Sequence, residues 1–255
     1  MSPGRAVPHS RDAAALRAPD APSLPGLSAF VPVHDEVETL PGVVAALVAV
    51  LPQVAERWEL VIVDDGSRDG TAAVADAFAR RHAHVRVVRH AQNRGYGAAL
   101  QTGLLAARYD TVFWMDGDGQ FDPHDLPRLA AALDGVDAVV GWRRQRADPW
   151  RRRLNTALWN RLVRTLFRLP VRDVNCAFKL LRRDALAGIA PEASGAMIST
   201  ELLARLVQRG CIITEMPVRH LPRRAGTPSG AAPRVVARAF VELLRLARRL
   251  RRRNA

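Results

Sequence analysis

Leu-Val-Ile-Val-Asp-Asp-Gly-Ser-Arg-Asp-Gly-Thr, residues 60–71, decides how the chain is read. Its apolar opening predicts a buried strand over 60–64, Asp64 and Asp65 end it, and Gly66 allows a tight turn. Asp69 then stands where it caps a helix over about 70–82. A carboxylate at such a turn accepts hydrogen bonds from a base or a ribose, and the turn amides donate to an anion. The GxxxxGK[ST] pattern of a P-loop is absent.

Outward from this unit the same grammar recurs. Strands are expected over 27–33, 85–89, 111–115 and 138–141, and helices over 39–55, 95–108 and 123–133. Pro41 is tolerated in a first helical turn. This alternation predicts an α/β fold, a mostly parallel Rossmann-like sheet flanked by helices. Ligands of such sheets bind at the carboxyl ends of the strands. Asp35-Glu36, Asp64-Asp65 and Asp116/Asp118 all fall at those ends.

The strand over 111–115 delivers Asp116-Gly117-Asp118-Gly119-Gln120. Two carboxylates two residues apart repel each other unless a cation lies between them. Oxygen ligands from Asp and Gln suit Mg²⁺ or Mn²⁺, ions that usually bridge to a substrate phosphate. The glycines let a large ligand approach the backbone. A plain Asp-Gly turn is the alternative.

Composition bounds the rest. With 255 residues, 48% hydrophobic and 25% charged, the chain has room for one sizeable globular domain. The net charge of +13 is unevenly placed, because eleven Arg and one Glu in 219–255 carry +10 of it. A basic tail suits an anionic surface such as lipid headgroups or nucleic acid, and a solvated helix face is the plainer reading. Cys176 and Cys211 lack CxxC spacing, so neither a zinc site nor a disulfide framework is expected, as in a reducing cytoplasm. No run approaches the roughly 18 apolar residues of a membrane span. The first residues lack the apolar core of a secretory signal.

Residues 1–26, rich in Pro, Ala, Ser and Arg, read as a disordered leader, 27–230 as the main domain, and 231–255 as a basic amphipathic helix. Past Gly141, residues 142–153 are Arg-rich and broken by Pro149. A helix over 154–167, a strand or extended segment over 175–181, a helix over 198–209 and a strand over 211–218 follow. Pro222, Gly226, Pro228 and Gly230 mark a loop. In the final helix, over about 233–252, Val236, Phe240, Leu243, Ala247 and Leu250 share one face. Arg234, Arg238, Arg245, Arg249 and Arg252 fall opposite.

Four segments in order, VPVHDE (31–36), VDDGSRDGT (63–71), NRGYGAALQTG (93–103) and MDGDGQFDP (115–123), resemble the family 2 glycosyltransferases. The resemblance covers about 30–229 and implies the GT-A fold and a nucleotide-sugar donor. DVNCAFKLLRR (173–183), Glu201 and RRAGTPSG (223–230) bring it nearest to dolichol-phosphate mannosyltransferase and the bacterial polyprenyl-phosphate glycosyltransferases. By that resemblance Pro32, Val33, Glu36 and Asp65 line the base and ribose pocket and Asp64 supports the turn. Arg94 and Gly95 shape the nucleotide pocket, and the backbone at Gly117 lies beside it. Asp116 contacts ribose or metal, while Asp118 and Gln120 hold the divalent ion, so Asp116, Asp118 and Gln120 are the metal set. Arg143, Arg152 and Arg153 receive the acceptor phosphate, and Arg223 faces the diphosphate. Asp35 departs from the usual Asn and adds charge near the base pocket, and Pro228 is an extra residue before Ser229.

The expectation is therefore an inverting, metal-dependent glycosyltransferase. It takes a GDP- or UDP-sugar, uses Mg²⁺ or Mn²⁺, and transfers to a polyprenyl phosphate on the inner face of the membrane, where the protein is cytoplasmic and peripheral. A phosphate acceptor is already ionised and needs no strong base; a hydroxyl acceptor, on a glycan or small molecule, needs one such as Asp173 or Glu201. The alternatives are that hydroxyl-acceptor enzyme, a non-catalytic nucleotide binder, and a nucleic-acid binder using its tail. The body carries no nucleic-acid recognition motif, so no nucleic acid is expected. A membrane protein or a second copy of the chain is the other partner the last helix suits.

Overall fold

The computed structural model describes residues 24–144, 150–189, 191–193, 195, 197–222 and 233–252; the side chains of 150–156, 233–240 and 251–252 are outside that description. The elements run β1 (Leu24–Val33), α1 (Leu40–Val54), β2 (Ala55–Asp64), α2 (Thr71–Arg81), β3 (Val85–Arg89), α3 (Tyr96–Ala106) and β4 (Thr111–Trp114). A 3₁₀ turn (Pro123–Asp125), α4 (Leu126–Ala131), β5 (Ala138–Arg143), α5 (Trp150–Phe167), β6 (Lys179–Arg182) and the short α6 (Arg183–Leu186) follow. The chain then forms α7 (Met197–Gln208), β7 (Ile213–Val218) and α8 (Pro233–Arg252).

Among the described residues the strands form one sheet of order β3-β2-β1-β4-β6-β5-β7. The first four are mutually parallel, as are β5 and β7, whereas β6 runs antiparallel to both β4 and β5. Alternation along the strands builds the two cores. Ala29, Val31, Ile62 and Phe113 face α1, α2 and α4, while Phe30, Val61, Val63 and Trp114 face α3, α5, α7 and α8.

The register places Val33 beside Asp64 and Asp64 beside Arg89, so the loops after β1, β2 and β3 leave from one edge. The reversed β6 starts at that edge, with Lys179 between Trp114 and Val140, and brings segment 173–178 there too.

Four differences from expectation have physical causes. First, β1 begins at Leu24 rather than 27, because Pro25 and Gly26 sit in the strand and the Tyr109 ring packs on Gly26; a Cβ there would lie 2.9 Å from that ring. Second, β2 begins at Ala55, paired with Leu24. Third, α5 starts directly after Pro149, putting Arg152 and Arg153 in its first turn.

Fourth, the apolar side of α8 is already used. Leu243, Leu246 and Leu250 are buried in the core cluster that holds Leu202, Leu203 and Leu206 of α7. Val241 and Leu244 are exposed, as are Arg245 and Arg248. Val236 and Phe240 of the expected stripe lie outside the described side chains. No helix among the described residues is long and apolar enough to cross a membrane.

Candidate active site

The two loops after β1 and β2 are sewn together by side chains that accept backbone N–H groups. Asp69 accepts from Gly70 and Thr71 at 2.8 and 2.9 Å and from Val37 at 3.1 Å. It thereby serves the first amides of α2, although Gly70 holds the cap position. The Glu36 N–H donates to the Thr71 hydroxyl at 2.8 Å. Asp35 adopts φ 55°, a left-handed conformation Asp tolerates, and its carboxylate accepts the Arg68 N–H at 2.7 Å. That charge is spent on the loop.

Asp64 and Asp65, adjacent in sequence, do different work. Asp64 is fully buried and accepts from the Ser67 N–H at 3.0 Å and from Arg89 Nε at 2.9 Å. Burial raises its pKa, but these bonds from Ser67 and Arg89 outweigh it and hold the carboxylate below its ordinary value. Asp65 Oδ1 lies 2.6 Å from His90 Nδ1 and accepts the Arg94 N–H at 2.9 Å, while Oδ2 accepts the Gly95 N–H at 2.8 Å. Gly66 completes the joint at φ 71°. A Cβ there would stand 2.5 Å from the Gln92 carbonyl carbon, so only glycine lets the loop seat on the turn.

Asp116 and Asp118 follow β4. A Cβ on Gly117 would meet the Val33 side chain at 2.4 Å, so its lack of a side chain serves close packing on β1. Gly119 requires its φ of 71°. The Thr39 hydroxyl lies 2.8 Å from both Glu36 Oε2 and the Gly117 carbonyl, linking the first loop to this one. Asp118 is 8% exposed and accepts the Gln120 N–H at 3.0 Å. The Leu221 N–H donates to the Gln120 carbonyl at 2.8 Å, and Gln120 Nε2 donates back to the Leu221 carbonyl at 3.3 Å.

Asp116 is the most strained charge of the group. Its Oδ1 is buried with no hydrogen-bond partner. Burial first, and then the Asp118 carboxylate, push its pKa up to about 7, against the pull of the Tyr96 hydroxyl, Lys179 and Arg143. Among the described residues no three His, Cys, Asp or Glu side chains are arranged to hold a metal. Two carboxylates, one with an unmatched oxygen, fit a hard divalent ion that completes its shell from a ligand diphosphate and water.

On the far side of β4 the expected acceptor residues behave differently. Arg143 grips Asp173 in a bidentate pair, Nε to Oδ2 at 2.6 Å and Nη2 to Oδ1 at 2.8 Å. Although burial acts against it, this pairing raises the Arg143 pKa. Asp173 is thus placed as an anchor for Arg143. Glu201 is fully buried and accepts from the Glu192 and Ala193 amides at 2.9 Å and from Arg205 at 2.6 Å, which ties α7 to segment 191–193.

Lys179, unremarked in the sequence, is fully buried; its Nζ donates to the carbonyls of Val174 and Cys176 and lies 5.7 Å from the Trp114 ring centre. Burial lowers its pKa. Burial, then the Asp173 carboxylate, push the Cys176 thiol up to about 12, which removes it as a nucleophile.

Pro32, Val33, Glu36, Asp64, Asp65, Arg94, Gly95, Asp116, Gly117, Asp118 and Gln120 are thus gathered at one sheet edge, with Arg143 and Asp173 across β4. Arg223 and Ser229 lie outside the described residues, as do the side chains of Arg152 and Arg153. His90, Tyr96 and Lys179 carried no sequence signal for their contacts, since each meets its partners through the fold. Tyr96, inside NRGYG, and Lys179, inside DVNCAFKLLRR, lay within quoted motifs, and His90 did not.

Comparisons agree with this architecture. A family model described as glycosyl transferase family 2 matches residues 28–189. The chain is 37% identical over 206 residues to an uncharacterized glycosyltransferase of Mycobacterium tuberculosis, covering 78% of this chain and 87% of that one. It is 32% identical over 210 residues to polyprenol monophosphomannose synthase of Mycolicibacterium smegmatis, covering 77% and 78%. Among solved structures, glucosyl-3-phosphoglycerate synthase of Mycobacterium tuberculosis, in complex with Mn²⁺, UDP and phosphoglyceric acid, superposes with a TM-score of 0.69. At 22% identity, covering 87% of this chain and 78% of that one, it shows the shared GT-A fold.

Proposed function

The chain belongs to glycosyl transferase family 2, and on that premise we propose that it moves a sugar from a nucleotide-sugar to a polyprenyl phosphate at an anionic membrane surface. The observation that carries the donor half is the buried, unpartnered Oδ1 of Asp116 beside Asp118. Asp116 and Asp118, with Gln120 next to them, would hold Mg²⁺ or Mn²⁺, whose charge neutralises a departing nucleoside diphosphate. The turn of Asp65 and Gly66 and the amides of Arg94 and Gly95 form the nucleotide end.

The acceptor half is supported by what has been committed elsewhere. Asp173 and Glu201, the two carboxylates suited to deprotonate a hydroxyl, are both held by arginines. A phosphate nucleophile needs neither. Two of the five N–H groups of Arg143 go to Asp173, and the others would take a phosphate oxygen. Membrane attachment rests on the exposed side of α8, where Arg245 and Arg248 flank Val241 and Leu244.

A thermal-shift panel of UDP-, GDP-, CDP- and dTDP-sugars, with and without Mn²⁺, tests the donor reading. One nucleotide should stabilise wild type only with metal and fail to stabilise Asp118→Ala. No response to any of them would sink the reading. Transfer to a short-chain polyprenyl phosphate, but not to its free alcohol, tests the acceptor. Sedimentation with anionic vesicles, lost in Arg245→Glu/Arg248→Glu, tests attachment.

A further inference from the structure

The nucleotide end contains a histidine that no chemistry above uses. His90 follows β3, is 7% exposed, and has both ring nitrogens engaged. Nδ1 lies 2.6 Å from Asp65 Oδ1 and Nε2 lies 2.8 Å from the Thr102 hydroxyl on α3. An ionised carboxylate only accepts, so Nδ1 carries a proton toward Asp65, and a neutral ring then accepts the Thr102 hydroxyl at Nε2. The His90 N–H donates to the Asp64 carbonyl at 2.9 Å, which fixes the ring's root to the end of β2.

Asp65 carries this constraint onward. Its two oxygens take the amides of Arg94 and Gly95, the residues that lead into α3. A carboxylate without a lateral partner rotates about its last bond, and the two amides would then compete for one oxygen. The ring of His90 removes that freedom from the Oδ1 side. The next residue, Tyr96, is the one whose hydroxyl acts on Asp116.

Resting on the donor reading above, we infer that His90 is a positioning residue of the nucleotide site. It locks the Asp65 carboxylate so that the Arg94–Gly95 amides and the start of α3 are preset before a ligand arrives. The active contact is Nδ1 to Asp65; the bond to Thr102 only seats the ring.

The two amide side chains separate these contacts. In His90→Asn the side-chain amide occupies the position of Nδ1 and keeps a donor toward Asp65. In His90→Gln it reaches toward Thr102 and leaves Asp65 without its partner. Hydrogen exchange on segment 93–96 in the ligand-free protein reads the positioning directly, and calorimetry with the stabilising nucleotide and Mn²⁺ reads its consequence.

His90→Gln should speed exchange at 94–95 and weaken nucleotide binding about tenfold, the scale of one lost charge-assisted bond, with the metal requirement unchanged. His90→Asn and Thr102→Val should stay near wild type on both readouts. If Asn and Gln behave alike, or if only Gln rescues, the inference is wrong. If wild type binds no nucleotide, the donor reading fails, and the exchange pattern still decides the role of His90.

Discussion

The two halves of the sheet edge are built by different means. On the side of β1, β2 and β3, loops are held by carboxylates that accept backbone amides, as Asp35, Asp64, Asp65 and Asp69 do. On the side of β6, β5 and β7, side chain meets side chain across long stretches of sequence. Arg143 pairs with Asp173, and Arg219 with Asp122 at 2.9 Å. The first design fixes backbone, so a ligand finds the loop already shaped. The second fixes charge, so it sets where guanidinium groups point and leaves N–H groups over for an anion. On the function proposed above, the first half takes the nucleotide and the second the phosphate.

The largest test of that contrast removes the carboxylate at the seam. Asp118→Ala should lower sugar transfer about a thousandfold or more while circular dichroism stays native, because the transition-state charge loses its metal site. On the charged side, Asp173→Ala should strand Arg143 in a buried position and lower stability by about 3–5 kcal/mol in urea titration. Asp173→Leu combined with Arg143→Met should recover most of that stability without recovering activity. On the amide side, Gly66→Ala forces a side chain against the Gln92 backbone at a left-handed φ, and should cost about 1–3 kcal/mol and weaken nucleotide binding.

The smallest expected effect has the opposite sign. The folded Asp116 pKa, about 7, stands above its ordinary value of 3.8. Its contribution to stability is therefore fully present below pH 3.8 and lost as pH rises through about 7. Metal-free Asp116→Asn should melt above wild type at pH 8, by about 2–4 °C for each kcal/mol relieved, and the gain should shrink by pH 5 and vanish below pH 3.8. A variant that gains stability and loses activity would mark Asp116 as a site held at a cost to the fold.

Much of the amide side was legible because its logic is local. In 60–71 the strand, the turn glycine and the residues that accept the turn's amides lie within a few positions of one another. Even there the division of labour was hidden: Asp64 takes Arg89, whereas Asp65 takes His90, Arg94 and Gly95, contacts made across β2 and β3. Gly117 read as clearance for a ligand, and its missing side chain also makes room for Val33, which the sequence did not show. The charged side was harder. Asp173 read as a candidate base, since nothing in 173–183 says that Arg143 arrives bidentate, whereas the Glu201–Arg205 pair follows from helical spacing. The stripe on the last helix was visible, but not that α7 covers its Leu243 and Leu250.

The sequence by itself determined the alternation of strands and helices, the edge where acids collect, and the family, because periodicity and turn chemistry act over a few residues. Only the tertiary structure decided which carboxylates are committed and which are left strained. It did so by inserting β6 backwards beside β4, which carries Lys179 and Asp173 to the edge that Asp116 occupies. Burial and pairing set the state of a charge, and both are properties of residues far apart in the chain.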